Sequence, residues 1–430
     1  MEVVSLLQFP ATAFRWRFGS GGYRVTVVTK ATYDLKPLKA ELATGNPVPI
    51  ARTDDPFDGD PSRSLRVASD LAPYKLRPEV LVTGSAYAPD GRPVRSLVAR
   101  AVVGEMEKAV EVLSDRSVSI QGALREGPMF TKMPIVYERA AGGPDSWNLA
   151  GISPTNQDVS GASRLPNIVP VGTPFQATDV LPTGMGPIAP HWALRSDLLR
   201  SHASTWRHGV YGSDIVVPDD LDLRYFNSAP SDQQLDGAMP GGLHLILENL
   251  HPSGARLSTY LPEIRPNVVA TIGARRETVP MIADTVAVDT DASRCTITFR
   301  AVLVLESANQ QLGLALIDGS GSLAEALRTA ELGVVDPLTP AIDVTQVGTI
   351  GLDKPSLPFD PSPAASRASR AEIQSGLPFS TQLVAPPPPA STPGLLPSPA
   401  SVPPPVVQPV VVPPAVVPPA PVSHAPVPPP

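Results

Sequence analysis

Cysteine is almost absent from this chain. Among 430 residues only Cys295 is present, so no internal disulfide can form. It falls in the apolar string CTITFRAVLVL, which reads as a buried strand where a free thiol packs as a small hydrophobe rather than acting as a nucleophile. Long hydrophobic runs are missing too, and nothing approaches the length that crosses a bilayer. The first ten residues, MEVVSLLQFP, carry an acid at Glu2 and have neither a basic leader nor a long apolar stretch, so a secretory signal is not expected. Basic runs are also lacking. The formal charge is −7, the pI is near 5.4, and Lys and Arg are scattered, which argues against a nucleic-acid footprint or an anionic-membrane patch. The expectation is a cytoplasmic protein with no nucleic-acid partner and no membrane insertion.

Motifs of chemistry are just as scarce. The six histidines, His191, His202, His208, His244, His251 and His424, stand in no HExxH or CxxC setting, and the spacing of His202 from His208 lies outside any helical period. The string DGSGS at 318–322 misplaces the glycines of a serine nucleophile elbow, and no phosphate-binding loop or dinucleotide fingerprint is present. Acids cluster at Asp54, Asp55, Asp58 and Asp60, and again at Asp219, Asp220 and Asp222. Neither cluster has the register of a calcium loop, and Asp beside Pro and Gly is ordinary turn chemistry. No catalytic residue, metal ligand or cofactor site is therefore expected. A carbohydrate-active or metal-dependent hydrolase that sets Asp58 and Asp60 against Asp220 and Asp222 is the alternative from another class, since glycoside hydrolysis needs two carboxylates across a cleft.

Strand signals are abundant. YRVTVVTKATYDL (23–35) is rich in β-branched residues. EVLVTGSAYAP and VRSLVARAVVG flank the turn signal Pro89-Asp90-Gly91 and read as one hairpin. LHLILENLHPSGARLSTYLP around Pro252-Ser253-Gly254 reads as a second, and DTVAVDTDASRCTITFRAVLVLE around 289–293 as a third. The predicted fold is mainly β, with locally paired antiparallel sheets in a sandwich-like arrangement and long irregular loops. One short C-terminal helix is expected over SLAEALRTAELG, with Ser322 as N-cap, Glu325 three residues on and Gly333 as stop.

Close to half of the 54 prolines follow Lys354, and no charge follows Glu372. From Pro386 the chain is essentially Pro, Val, Ala and Ser, a composition that cannot build a core and favours a fluctuating polyproline II rod, whose forty-odd residues would reach about 130 Å at about 3.1 Å each. The expected organisation is a mainly β domain over 1–305, a helix-containing extension over 306–353, and a disordered proline-rich tail over 354–430. Leu357-Pro358-Phe359 is echoed by Leu377-Pro378-Phe379 in that tail, and duplicated apolar anchors on a flexible tether suit docking with avidity.

Between about Pro128 and Gln234 the periodic signals give way to MPIVYERAAGG, LPNIVP, GMGPIAPHW and RYFNSAPSDQQ. A stretch of this length without regular structure is usually functional. Trp147, Trp192, Trp206, Tyr225 and Phe226 are its expected anchors. Charges beside aromatics mark Tyr137, Glu138, Arg139, Trp192, Arg224, Tyr225 and Phe226 as candidate partner-binding residues, because aromatics and Arg concentrate binding energy where water is excluded.

At these residues the chain resembles a bacterial family known as domain of unknown function 2169, associated with type VI secretion. The resemblance runs in collinear order through KATYDL, FDGDPSRSLRVASDLAPYK, VLVTGSAYAPDGRPV, MPIVYERAAGGPD, GMGPIAPHWALR, PDDLDLRYFNSAPSDQQ, GGLHLILENLHPSG and ADTVAVDTDASRCTITFRAVLVL. It covers roughly the first three hundred residues. It implies a non-enzymatic adaptor or chaperone that binds a secreted effector, keeps it soluble and helps to load it onto the spike component of the secretion system. A structural scaffold that uses the proline tract as a spacer is a further alternative.

Overall fold

The computed structural model describes residues 2–319 apart from 8, 154 and 207–214. The chain divides into two units, 1–343 and 344–430, and every described residue belongs to the first. The expected helix over 322–333, both Leu-Pro-Phe strings and the proline-rich tail lie outside the described residues.

The fold is mainly β. Its central seven-stranded sheet runs in the order Ile215–Val217, Ala11–Phe18, Tyr23–Asp34, Arg294–Val304, Ile282–Asp289 and Glu79–Thr83, with Glu41–Leu42 beside Tyr23–Asp34. Tyr23–Asp34 is long enough to pair along its whole length with Arg294–Val304, from Asp34 opposite Arg294 to Arg24 opposite Val304. A six-stranded sheet holds Ile168–Val169, Met106–Leu113, Ser96–Val103, His244–Glu248, Arg256–Tyr260 and Leu38–Lys39. A four-stranded sheet joins Val4–Ser5, Leu312–Asp318, Pro266–Ile272 and Arg275–Pro280. All three send alternate side chains into one core, among them Val25, Val27, Val80, Val82, Ala99, Ala101, Leu245, Leu247, Val268 and Leu316. Each buried Val, Leu or Ile contributes about 1.5–3 kcal/mol relative to exposure. Cys295 is fully buried in this core, and burial pushes its thiol up to about 12, so it stays protonated and inert at neutral pH.

Pairing departs from the sequence reading in two respects. The hairpins around 252–254 and 289–293 form as expected, but the one around Pro89-Asp90-Gly91 does not. Glu79–Thr83 instead pairs parallel with Ile282–Asp289, and Ser96–Val103 turns back on Met106–Leu113. Gly104, at φ 59°, opens that two-residue turn, where a residue free to take positive φ is favoured. Pairing is also not wholly local and antiparallel. Parallel contacts join Val4–Ser5 to Leu312–Asp318, Ile215–Val217 to Ala11–Phe18, and Arg256–Tyr260 to Leu38–Lys39. The strand Leu312–Asp318 pairs along its length with Pro266–Ile272, so the sheet framework continues past residue 305.

The outer face of the central sheet is polar and buried. Lys30, Thr298, Thr285 and Glu79 form one row across four strands, and residues 57–78 supply the groups that meet them. Asp70 pairs with Lys30 and accepts from Thr298 Oγ1 at 3.2 Å. Lys75 pairs with Glu79 and donates to Thr285 Oγ1 at 2.7 Å. Arg300 donates to Asp284 Oδ2 at 2.6 Å and to the carbonyls of Asp70 and Ala72. Glu79 also accepts from Asn227 Nδ2, both donors of Ser228 and the Ala229 amide at 2.8–3.0 Å. Burial works to raise its carboxyl, but Lys75 and these donors outweigh it and hold the group below the usual carboxylate range. Buried pairs of this kind contribute little net stability yet are costly to break.

Candidate functional site: a concave face built by the irregular middle

The middle of the chain stays irregular in three dimensions, with short strands and single turns held by buried aromatics. Tyr137 packs edge-on against Trp192 and Trp147, with ring centroids 5.2 and 5.6 Å apart, and its hydroxyl donates to the Gly186 carbonyl at 2.9 Å. Tyr225 and Phe226 pack against Trp206 and each other in a second cluster. Two buried arginines fasten loop carbonyls that no strand satisfies. Arg195 donates to the Tyr225 and Ile188 carbonyls and sits over the Tyr225 ring. Arg116 donates to the Phe175 and Pro166 carbonyls, both at 2.7 Å, and sits over the Phe175 ring.

On this support three adjoining basins open, with volumes of about 460, 590 and 620 Å³. Arg164 lines all three, and Arg139 lines the first and third. A three-stranded sheet of Leu124–Glu126, Arg116–Val118 and Ser163–Arg164 explains part of this geometry. Arg125 and Arg164 both lie opposite Ser117, so both emerge on the same face. Arg139 reaches the same place from the single turn Tyr137–Arg139. Arg139 Nη1 and Arg164 Nη2 then converge on one carboxylate oxygen, Asp115 Oδ1, each at 3.3 Å. They also share the amide oxygen of Asn167, at 3.1 and 3.2 Å. Partial burial works to raise the Asp115 carboxyl, but the Asn167 amide and the two guanidiniums hold it below its usual range. The second basin is more apolar, lined by Ile120, Trp147, Ile152, Leu165 and Val180, and Ile120 is 70% exposed there.

A smaller cavity of about 220 Å³ overlies the polar sheet face, lined by Lys30, Asp70, Lys75, Thr285, Thr296 and Arg294 among others. Its inner charges already answer one another, Lys30 to Asp70 and Lys75 to Glu79. It therefore offers a ligand less than the open basins do.

The candidate contact residues fall into two groups. Tyr137, Trp192, Tyr225 and Phe226 are buried, so none offers its ring to a partner in this structure; they brace the loops. Glu138 is partly turned inward, accepting from Arg63 Nε at 3.2 Å and from the Ser64 amide and hydroxyl at 2.9 and 2.7 Å. Arg224 is exposed but held by Asp222, which also caps its turn. Arg139 alone stands at the meeting point of the basins. Sequence reading passed over Asp115, Arg116, Arg125 and Arg164, because no period marks them. Their one available signal was proximity, Arg164 beside LPNIVP and Asp115-Arg116 beside an alternating strand.

The acids of both clusters are engaged by protein groups, some in local turns and some, such as Asp219 with the Ser20 amide, across the fold. Asp58 pairs with Arg63, and Asp60 Oδ1 accepts from the Ser62 amide and hydroxyl at 2.9 and 2.7 Å. Asp220 meets His202 Nε2 at 2.7 Å, and Asp222 meets Arg224. Among the described residues no three His, Cys, Asp or Glu side chains come together in a way that could hold a metal ion, and no helix is long and apolar enough to cross a membrane.

A β framework that carries a preformed, loop-built concave face is the class of protein these features define. Residues 20–300 match the family described as "Uncharacterized protein conserved in bacteria (DUF2169)", and the chain belongs to that family. No curated protein and no solved structure matches it.

Proposed function

We propose that the protein is a non-enzymatic adaptor or chaperone of the cytoplasm that binds a type VI secretion effector and assists its loading onto the secretion spike. The observation that carries this reading is the joined set of basins around Arg164, held open by buried aromatics and arginine-to-carbonyl braces. A surface already shaped before binding loses little ordering entropy when a partner arrives. The scarcity of long periodic elements among the described residues between 128 and 234 then has a reason, since loops on a rigid sheet framework are where recognition is built.

Co-expression with the proteins encoded beside it tests the reading. The expected result is a stable complex with a toxic effector, and loss of that effector's secretion when the gene is deleted. A chain that remains alone with every neighbour, together with normal secretion in the deletion strain, would rule it out. Removing residues after Ala385 separates an adaptor from a spacer scaffold. The adaptor keeps its effector, whereas a spacer fails.

A further inference from the structure

The third basin is unbalanced in charge. Arg125, Arg139 and Arg164 line it against three carboxylates, Asp115, Glu126 and Asp158, and Arg116 belongs to its wall with its guanidinium turned to the Phe175 and Pro166 carbonyls. Of these carboxylates, Glu126 is already paired with Arg95. Arg139 and Arg164 divide a single carboxylate oxygen between them. Arg116 is 3% exposed, donates only to carbonyls, and has one terminal nitrogen with no partner. This local positive surplus belongs to a chain whose net charge is −7, so it runs against the average of the surface. Next to it, across Arg164, lies the more apolar basin with exposed Ile120 and partly buried Trp147, whose lining also carries Asp145 and Asp179 and so favours an uncharged side chain there.

We propose that this groove receives an extended, carboxylate-bearing segment of the protein partner, with an acidic side chain between Arg164 and Arg125 and an apolar side chain against Ile120 and Trp147. The inference rests on the reading of the protein as one that binds another protein, and it names where and by what chemistry. Guanidiniums meet carboxylates through paired, charge-assisted hydrogen bonds. A partner carboxylate at Arg164 would give that guanidinium an acceptor of its own, where it now shares the Asp115 and Asn167 oxygens with Arg139. An extended segment suits the site, because Arg164 borders all three basins and successive side chains of a strand-like segment project alternately, so that one can enter the charged basin and another the apolar one.

The test uses the full chain and a defined probe, a dye-labelled peptide with glutamate at alternate positions and one central leucine, followed by fluorescence anisotropy. Its glutamine counterpart and a version with glycine for leucine serve as comparisons. The glutamate peptide is expected to bind at least about tenfold more tightly than the glutamine one. Arg164→Glu and Arg125→Glu should each lose about tenfold or more, and Arg275→Glu, on the separate strand Arg275–Pro280, should change nothing. Raising salt to about 0.5 M should weaken binding as exposed charges are screened. Circular dichroism checks that each variant is folded, and two independent variants on one row keep the test decisive if one of them is not.

Equal binding of the glutamate and glutamine peptides overturns the proposal, as does wild-type binding by both groove variants. Complete competition by inorganic phosphate at low concentration would mark a simple anion site and overturn it too. An effector that co-purifies undiminished with Arg164→Glu would remove the groove inference and leave the adaptor reading intact. Glutamate-peptide binding without any effector complex would do the reverse.

Discussion

Glu79 is the most deeply buried charged residue among the described residues, and no sequence pattern marks it. It opens a strand whose next residues are Val80, Leu81 and Val82, yet it is fully buried and meets Lys75, Asn227, Ser228 and Ala229. Sequence could mark the strand but could not supply a partner 149 positions away. Glu79→Gln keeps the shape and removes the charge, which leaves Lys75 buried without its counter-ion. A loss of about 3–5 kcal/mol at neutral pH is expected, read from urea denaturation. The pH dependence has a definite sign. The folded carboxyl lies below its ordinary value of 4.5, so its contribution is fully present above that value and is lost as pH falls through the folded pKa. The gap between wild type and Glu79→Gln should therefore narrow in acid, and a gap that stays constant from pH 7 downward would show that the ionised form is not what stabilises the fold.

Elements differed in legibility according to where their partners lie. Strands with a neighbour close in sequence, such as His244–Glu248 with Arg256–Tyr260, could be paired from their turn alone. Glu79–Thr83 could not, since its partner Ile282–Asp289 lies some two hundred residues away and runs parallel. The apparent turn at Pro89-Asp90-Gly91 does form, as a single turn, but it connects different sheets. In the irregular middle, the choice of aromatic anchors was readable because few residue types can hold a loop by packing. Their inward orientation was not, because burial depends on what crosses above them. Gly184 shows the constraint. A Cβ there would stand 2.2 Å from Tyr137 Cε1, against the ring on which Trp147 and Trp192 also pack. Gly184→Ala must displace that ring, and overpacking of this kind costs about 1–3 kcal/mol. The expected result is a lowered melting temperature with the central sheet's circular dichroism retained, accompanied, on the adaptor reading proposed above, by weaker effector binding because the turn that positions Arg139 moves with Tyr137. An Ala variant as stable as wild type would mean that the aromatic cluster is loosely packed.

At the scale of the whole molecule the limits of the family and of the fold differ at both ends. The family match stops at residue 300, and the strand signals of the sequence suggest a β domain over 1–305. The strand Leu312–Asp318 nevertheless lies between Pro266–Ile272 and Val4–Ser5, and its Leu314 and Leu316 belong to the main core with Val268, Ala270 and Ile272. The N-terminal segment ahead of the family match is equally engaged, because Ala11–Phe18 pairs along Tyr23–Asp34. A chain cut after Leu305 would expose the ladder edge of Pro266–Ile272 and the apolar side chains beneath it. Unpaired edges of that kind template association between molecules, and each core residue left uncovered forfeits about 1.5–3 kcal/mol. Cutting after Leu305 should therefore yield aggregated or strongly destabilised protein, whereas cutting after Gly319 retains the paired strand and should melt at a higher temperature and remain monodisperse. Gel filtration and thermal melts of the two truncations decide the matter. If both behave alike, the four-stranded sheet contributes nothing to the stability of the other two, and the single core they share in this structure would not be the unit that folds.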